Sequence, residues 1–395
     1  MDPRRNPYAP GAGAPPPELA GRDAVIEEAS IALDRIRNGL HAKSLMLVGL
    51  RGVGKTVLLN RLHNDAMAAG LVTVLLEASE QRSLPALLAP FLRMGLLKLD
   101  RVAQGADLAK RSLRALGGFV QAAKLKYHDI EFGVDLGVEP GVADSGDLSA
   151  DLTSLFQTVG EAARGAKTAV ALFIDELQYV AEGELQGLIT ALHRCSQLQL
   201  PITLVGAGLP LLYGQLGEAK SYAERLFDFR PIGALAAPAA RAALCEPARR
   251  QQVAFAPEAL DAILEQTQCY PYFLQEWGKH AWNYAAGSPI SLDDVQGAHD
   301  IVVADLDAGF FQVRLDRLTP AEQRYLRAMA ELGPGPHRSG DVAKALKMKV
   351  ESAAPIRSGL IKKGMAFSPA HGETAFTVPL FDQYLKREMP VGPRS

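Results

Sequence analysis

A chain of 395 residues is longer than one ordinary domain and has the length for two or three units that each bury a core. With 48% hydrophobic and 22% charged residues and a formal charge of -2, it has a globular composition and is not a uniformly basic nucleic-acid coat. Three scattered cysteines (Cys195, Cys245, Cys269) read as reduced core thiols rather than a disulfide framework or zinc site, and no run reaches the roughly 18 apolar residues of a membrane span, so a cytoplasmic protein without a membrane segment is expected.

Residues 1–18 are rich in Pro, Gly and Ala with little apolar surface, which predicts a flexible tail unless the segment docks. In 23–38, Val25, Ile26, Ala29, Leu33 and Ile36 recur at helical spacing. Ser44 to Val48 is a short apolar run ending in glycine, a buried strand, and helical periodicity returns over 51–68. Further strands are predicted at 71–76, 169–174, 201–205 and 227–232. The stretch 78–168 is an insertion with helix-rich sequence. Within it, Ile130, Phe132, Val134 and Leu136 alternate inside glycine-rich 127–144 and predict a hairpin. Strand-helix alternation over 19–232 gives an α/β core, a parallel sheet with helices on both faces.

Past Pro231 strand signals stop. Three helices are predicted at 257–266, 271–286 and 291–318, each with proline or serine near its start, forming a helical lid over 233–312. Over 313–395, helices at 319–330, from a Ser339 cap to Leu346, and at 352–363 precede strands at 365–367 and 374–378. Turn formers fill Ser368 to Glu373 between them, the order of a winged helix.

Gly49-Leu50-Arg51-Gly52-Val53-Gly54-Lys55-Thr56 fits G-x-x-x-x-G-K-[ST] and falls between a predicted strand and helix, the context in which this pattern cradles phosphate. Glycines 49, 52 and 54 let successive N–H groups turn inward, and the following helix adds its positive end. Leu50, Arg51, Val53 and Val57 complete the loop and first turn. Lys55 is expected to bridge the β- and γ-phosphates of ATP, and Thr56 to place its hydroxyl on Mg2+. The bland alternative is a chance glycine turn. Against it, the apolar run Val170 to Ile174 ends in Asp175 and Glu176. Asp175 would act on the magnesium shell, and Glu176 would orient and deprotonate the attacking water. The other reading of Glu176 is a charge at a helix N-terminus.

With these motifs in this order, the chain resembles the AAA+ ATPases over most of its length, in particular the branch shared by origin-recognition-like initiators and STAND signalling ATPases. Leu19-Ala20-Gly21-Arg22-Asp23 is similar to that branch's entry motif, which implies Gly21 and Arg22 near the adenine. Tyr222-Ala223-Glu224-Arg225-Leu226-Phe227 is similar to its arginine-finger segment. The resemblance implies that Arg225 reaches the γ-phosphate of a neighbouring copy or partner ATPase, with Arg230 second; a surface ion pair is the other reading of Arg225. Cys269-Tyr270-Pro271-Tyr272-Phe273 stands where STAND proteins carry a proline motif, implying that Pro271 touches the nucleotide; a proline in the first helical turn beside core aromatics is the bland reading. One departure is that Leu204-Val205-Gly206-Ala207-Gly208 lacks the asparagine or threonine that senses the γ-phosphate in the family, although Thr203 lies upstream. Slow hydrolysis, or tight ADP binding, is the expectation.

From Arg314 onward 14 Lys and Arg face 8 Asp and Glu, a net +6 that leaves -8 for the rest. Arg338, Lys344, Lys347, Lys349, Arg357, Lys362 and Lys363 cluster in 338–363, where a winged helix meets duplex DNA. The expected function is an ATP-driven regulatory switch coupled to DNA. The alternative is a signalling ATPase acting on a protein partner, its winged helix clamping the nucleotide domain.

Overall fold

The computed structural model describes residues 1–11, 16–100, 106–123 and 137–390. The chain divides into two units. One holds Arg22–Gly49 and Lys55–Ile232; the other holds residues 1–21, Leu50–Gly54 and 233 onward. The predicted hairpin at 127–144 lies largely outside the described residues.

In the first unit the elements run α1 (Asp23–Arg37), β1 (Ser44–Val48), α2 (Lys55–Ala68), β2 (Val72–Glu77), α3 (Leu84–Asp100), α4 (Ala106–Ala122) and α5 (Leu148–Gly165). There follow β3 (Val170–Asp175), α6 (Glu182–Gln197), β4 (Ile202–Gly208), α7 (Leu212–Ala219), α8 (Ala223–Leu226) and β5 (Phe227–Pro231). The five strands are parallel in the order β2-β3-β4-β1-β5. Every residue of β1, β3 and β4 is buried, as befits strands covered by helices on both faces. The insertion contributes α3, α4 and α5, packed in succession and on to α6. Their Leu88, Leu92, Leu116, Phe119, Leu155 and Phe156 join Leu172 and Leu204 of the sheet in one apolar core.

The second unit contains α9 (Ala237–Arg250), α10 (Pro257–Thr267), α11 (Pro271–Tyr284), α12 (Leu292–Leu306), α13 (Gln312–Leu315), α14 (Pro320–Leu332), β6 (His337–Arg338) and α15 (Ser339–Ala345). It ends with α16 (Val350–Lys362), β7 (Ala366–Phe367), β8 (Glu373–Phe376) and α17 (Phe381–Glu388). The helix predicted over 291–318 is α12 and α13 joined by a π-helical turn at Asp307–Phe311. The helix α9 is an addition to the three expected. Its Pro247 reads as a breaker in an alanine-rich stretch, yet one lost N–H in the last turn is tolerated while Ala240, Ala243 and Leu244 bury a face. The antiparallel sheet β6-β8-β7 is interleaved along the chain with α14, α15 and α16, and the two strands expected at 365–367 and 374–378 are present as β7 and β8. Ser339 is not the cap of α15: Arg338 holds that position, and the Ser339 hydroxyl donates to Gly372 O in the wing.

The expected tail is seated at its start. Tyr8 is buried and donates its hydroxyl to Leu244 O; Asn6 Nδ2 donates to Lys279 O and Asn283 Oδ1, both at 2.8 Å; Trp282 Nε1 donates to Asp2 O at 3.1 Å. Composition gave no sign of this, because one buried tyrosine and backbone carbonyls do the anchoring. Cys195 is buried and Cys245 and Cys269 half-buried, all as free thiols. Among the described residues no helix is long and apolar enough to cross a membrane.

Candidate nucleotide site

The glycine loop leaves β1 at the carboxyl edge of the sheet. Gly49 N–H donates to Gly208 O at 3.1 Å, which sets the start of the loop beside the end of β4. Gly52 and Gly54 hold φ of 82° and 90°, a left-handed backbone that side chains with a Cβ rarely adopt. The 14-residue helix α2 starts at Lys55, directly after the loop in the chain, so the glycine segment runs into the positive end of that helix. Lys55 is 7% exposed.

Asp175 ends β3 in the same unit and is 6% exposed. Its Oδ2 accepts from Thr56 Oγ1 at 2.6 Å and its Oδ1 from Glu176 N–H at 2.8 Å. Burial pushes its carboxyl above the usual range. The bonds from Thr56 and the Glu176 amide, and the charge of Lys55, oppose this, while the Glu176 carboxylate adds to it. Register pairs Asp175 with Glu77 at the end of β2, whose carboxyl is raised by burial and then by Asp175 and Glu176. Glu77 was not foreseen from the sequence; its place at the end of the edge strand was the available signal. Hard oxygen donors and crowded negative charge suit a divalent cation. Among the described residues no group of three His, Cys, Asp or Glu is built to hold a metal unaided. A magnesium ion held by Thr56 and Asp175 would take its remaining ligands from phosphate and water.

Glu176 has a left-handed backbone, φ 51°, which is costly for a residue with a side chain. It holds the N-cap position of a 3-10 turn, Leu177–Tyr179, without a side-chain cap bond, so its carboxylate is also a charge at a helix N-terminus, the other reading of this residue.

In the second unit, Tyr270 donates its hydroxyl to Arg51 O and Tyr272 N–H donates to Gly52 O at 3.3 Å. A Cβ on Gly52 would lie 3.1 Å from the Tyr270 ring. The loop tip thus rests on the turn carrying Pro271, which occupies the first turn of α11, while Phe273 is core. Tyr272 stacks on Phe310 at 4.6 Å, and the Arg314 guanidinium lies 3.8 Å over that ring. Burial and the like charge of Arg51 lower Arg314 to about 10. Arg314 is brought over Phe310 by the π-helical turn, a detail no sequence period reveals. Gly21 packs against Ala239 of α9; Arg22 is half-buried ahead of α1, and burial lowers its guanidinium.

Arg225 is exposed in the short helix before β5. Since Phe227 pairs with Ser44, it lies at the amino edge of the sheet, a strand of about 16 Å from Gly49 at ~3.3 Å per residue. Arg230 is committed to Glu28 at 2.5 Å and Asp228 at 2.8 Å. Thr203 is also at the amino edge, 3.4 Å from the Ser44 hydroxyl, too far along β4 to meet a phosphate at the loop. Two cations of the C-terminal cluster serve the domain itself. Arg357 holds Thr374 Oγ1 and Glu373 O, both at 2.6 Å, and Lys363 pairs with Glu322 at 2.7 Å.

Residues 18–205 match the AAA ATPase domain family, and residues 308–385 match a domain of unknown function (DUF8462). No curated protein matches the chain. The Walker-type ATPase PABY2304 of Pyrococcus abyssi shares the fold, at 15% identity and a TM-score of 0.58, over 93% of this chain and 96% of that one. The Aeropyrum pernix Orc1 protein in complex with DNA (14% identity, 94% and 93% covered) and the Thermotoga maritima RuvB branch migration motor (15%, 95% and 97%) both give TM-scores of 0.45, too low to carry the comparison further. The chain therefore carries an AAA-type P-loop ATPase domain across residues 18–205.

Proposed function

We propose that this protein is a slow ATP-hydrolysing regulatory switch of the AAA+ type. The observation that carries the reading is the 2.6 Å bond from Thr56 to the buried Asp175 at the head of α2, in a chain whose preceding Gly52 and Gly54 have the required left-handed backbone. The amides of Gly49 to Thr56 and the Lys55 ammonium hold the phosphates of ATP or ADP. Thr56 and Asp175 would hold a magnesium ion, which would supply positive charge against the phosphates. Glu176 orients water and takes its proton as the oxygen attacks the γ-phosphorus and the bond to the β-phosphate oxygen breaks. Gly21, Arg22 and Pro271 border the base or ribose. The separation of Arg225 from the loop of its own chain supports a target in a second copy or partner ATPase.

In the same reading, residues 338–363 meet duplex DNA through phosphates. Arg338, Lys344, Lys347, Lys349 and Lys362 are exposed and serve this, whereas Arg357 and Lys363 are engaged internally. The exposed residues of α16 are Val350, Glu351, Ser352, Ala354, Pro355, Ser358 and Lys362, with no exposed Arg, Asn or Gln for bidentate base contacts. A second reading, a signalling ATPase with a protein partner, is favoured by Met348 and Val350, 39% and 46% exposed at the start of that helix. Titration of labelled duplex over a salt series tests the choice. DNA contact predicts sequence-independent binding whose log affinity falls with log salt at about -0.9 per phosphate contacted. No binding at low salt would favour the protein partner.

A further inference from the structure

Gln178 lies two residues past Glu176 in the 3-10 turn, and its side chain is 7% exposed. The amide is engaged at both ends. Nε2 donates to Glu176 Oε2, and Oε1 accepts from the Leu209 N–H at 3.1 Å, immediately after β4. A backbone N–H can only donate, so the amide oxygen must face Leu209 and the nitrogen must face the carboxylate. The backbone carbonyl of Gln178 accepts from Gln215 Nε2 at 3.2 Å, which pins the turn from a third side. Space for the amide is provided by a glycine: a Cβ at Gly208 would lie 2.8 Å from Gln178 Oε1 and 3.0 Å from Leu212 Cδ2. The end of β4 carries no side chain here because Gln178 occupies that volume.

We propose that Gln178 is a positioning residue for hydrolysis. It holds Glu176 by Oε2, leaves Oε1 to accept the proton of the attacking water, and ties the carboxylate to the end of β4 through Leu209. The inference rests on the reading of Glu176 as the base.

The deciding variant is Gln178→Glu. It keeps an oxygen for the Leu209 N–H, removes the Nε2 donor to Glu176 and sets a like charge in its place. Phosphate release by the full chain with MgATP should show kcat lowered about tenfold or more, the loss expected for one bond to a charged group, with KM within about twofold. In a Glu176→Gln background the same substitution should leave the residual rate unchanged, since the group it positions is gone. A Gln178→Glu rate equal to wild type would overturn the inference. So would an equal fall in both backgrounds, which would mark Gln178 as purely structural. Gln178→Met, which removes both bonds, should lose at least as much kcat; if it fails to fold, Gln178→Glu still decides. A Glu176→Gln rate equal to wild type would remove the base itself and the present inference with it, whereas a Glu176-dependent rate indifferent to Gln178→Glu sinks only the latter.

Discussion

Replacing Gly278 with alanine should destabilise this protein, although alanine is normally favoured over glycine inside a helix by about 1 kcal/mol. Gly278 lies in the middle of α11, and its missing side chain makes room for Tyr8: a Cβ there would approach ring atoms of Tyr8 at 2.8, 2.9 and 3.0 Å. Overpacking of this kind costs roughly 1–3 kcal/mol. Tyr8→Ala should cost about 3–5 kcal/mol for the vacated ring site, and Tyr8→Phe about 1 kcal/mol for the bond to Leu244 O. In the Tyr8→Ala background the clash is gone, so Gly278→Ala should become stabilising, a reversal of sign with a coupling on the order of 2 kcal/mol or more. Urea unfolding followed by tryptophan fluorescence is the assay, because both tryptophans, Trp277 and Trp282, are buried in α11 and report on this unit. If Gly278→Ala stabilises the chain with Tyr8 intact, the N-terminal segment is not seated over α11 and the reasoning fails.

Asp175→Asn should abolish magnesium-dependent nucleotide affinity, read by titration with a fluorescent nucleotide, and yet raise the thermal midpoint of the unliganded chain. The folded pKa of Asp175 is raised above 3.8, so its ionised form costs stability at neutral pH, and the cost is relieved as pH falls through the raised value. The advantage of the asparagine variant should accordingly be greatest near neutrality and shrink toward pH 3.8; an advantage that grows on acidification would contradict the cause assigned. Arg225→Ala should leave nucleotide affinity within about twofold, as an exposed surface change does, and flatten any rise in specific turnover with protein concentration. Unchanged concentration dependence would release Arg225 from that role.

The sheet was legible because β1, β3 and β4 are buried on both faces and so read as unbroken apolar runs, each ending where chemistry begins. The loop was legible because phosphate binding demands glycines at positions that sequence displays directly. What sequence did not disclose depends on distant partners. Tyr8 looks like tail until Leu244 and Gly278 are placed around it. Arg357 and Lys363 look like free cations until the wing and Glu322 take them up. Thr203 looks close to the nucleotide in sequence, but the length of β4 takes it to the other edge of the sheet. Gln178 stood beside the two acids in plain view, yet its orientation is set by a backbone N–H 31 residues away.

The central claim is hydrolysis at the Gly49–Thr56 loop with Glu176 as base. Phosphate release from MgATP by wild type, Lys55→Ala and Glu176→Gln tests it most directly. The account predicts slow magnesium-dependent release from wild type, loss of nucleotide binding and release in Lys55→Ala, and binding without appreciable release in Glu176→Gln. Release from Lys55→Ala at the wild-type rate would contradict it.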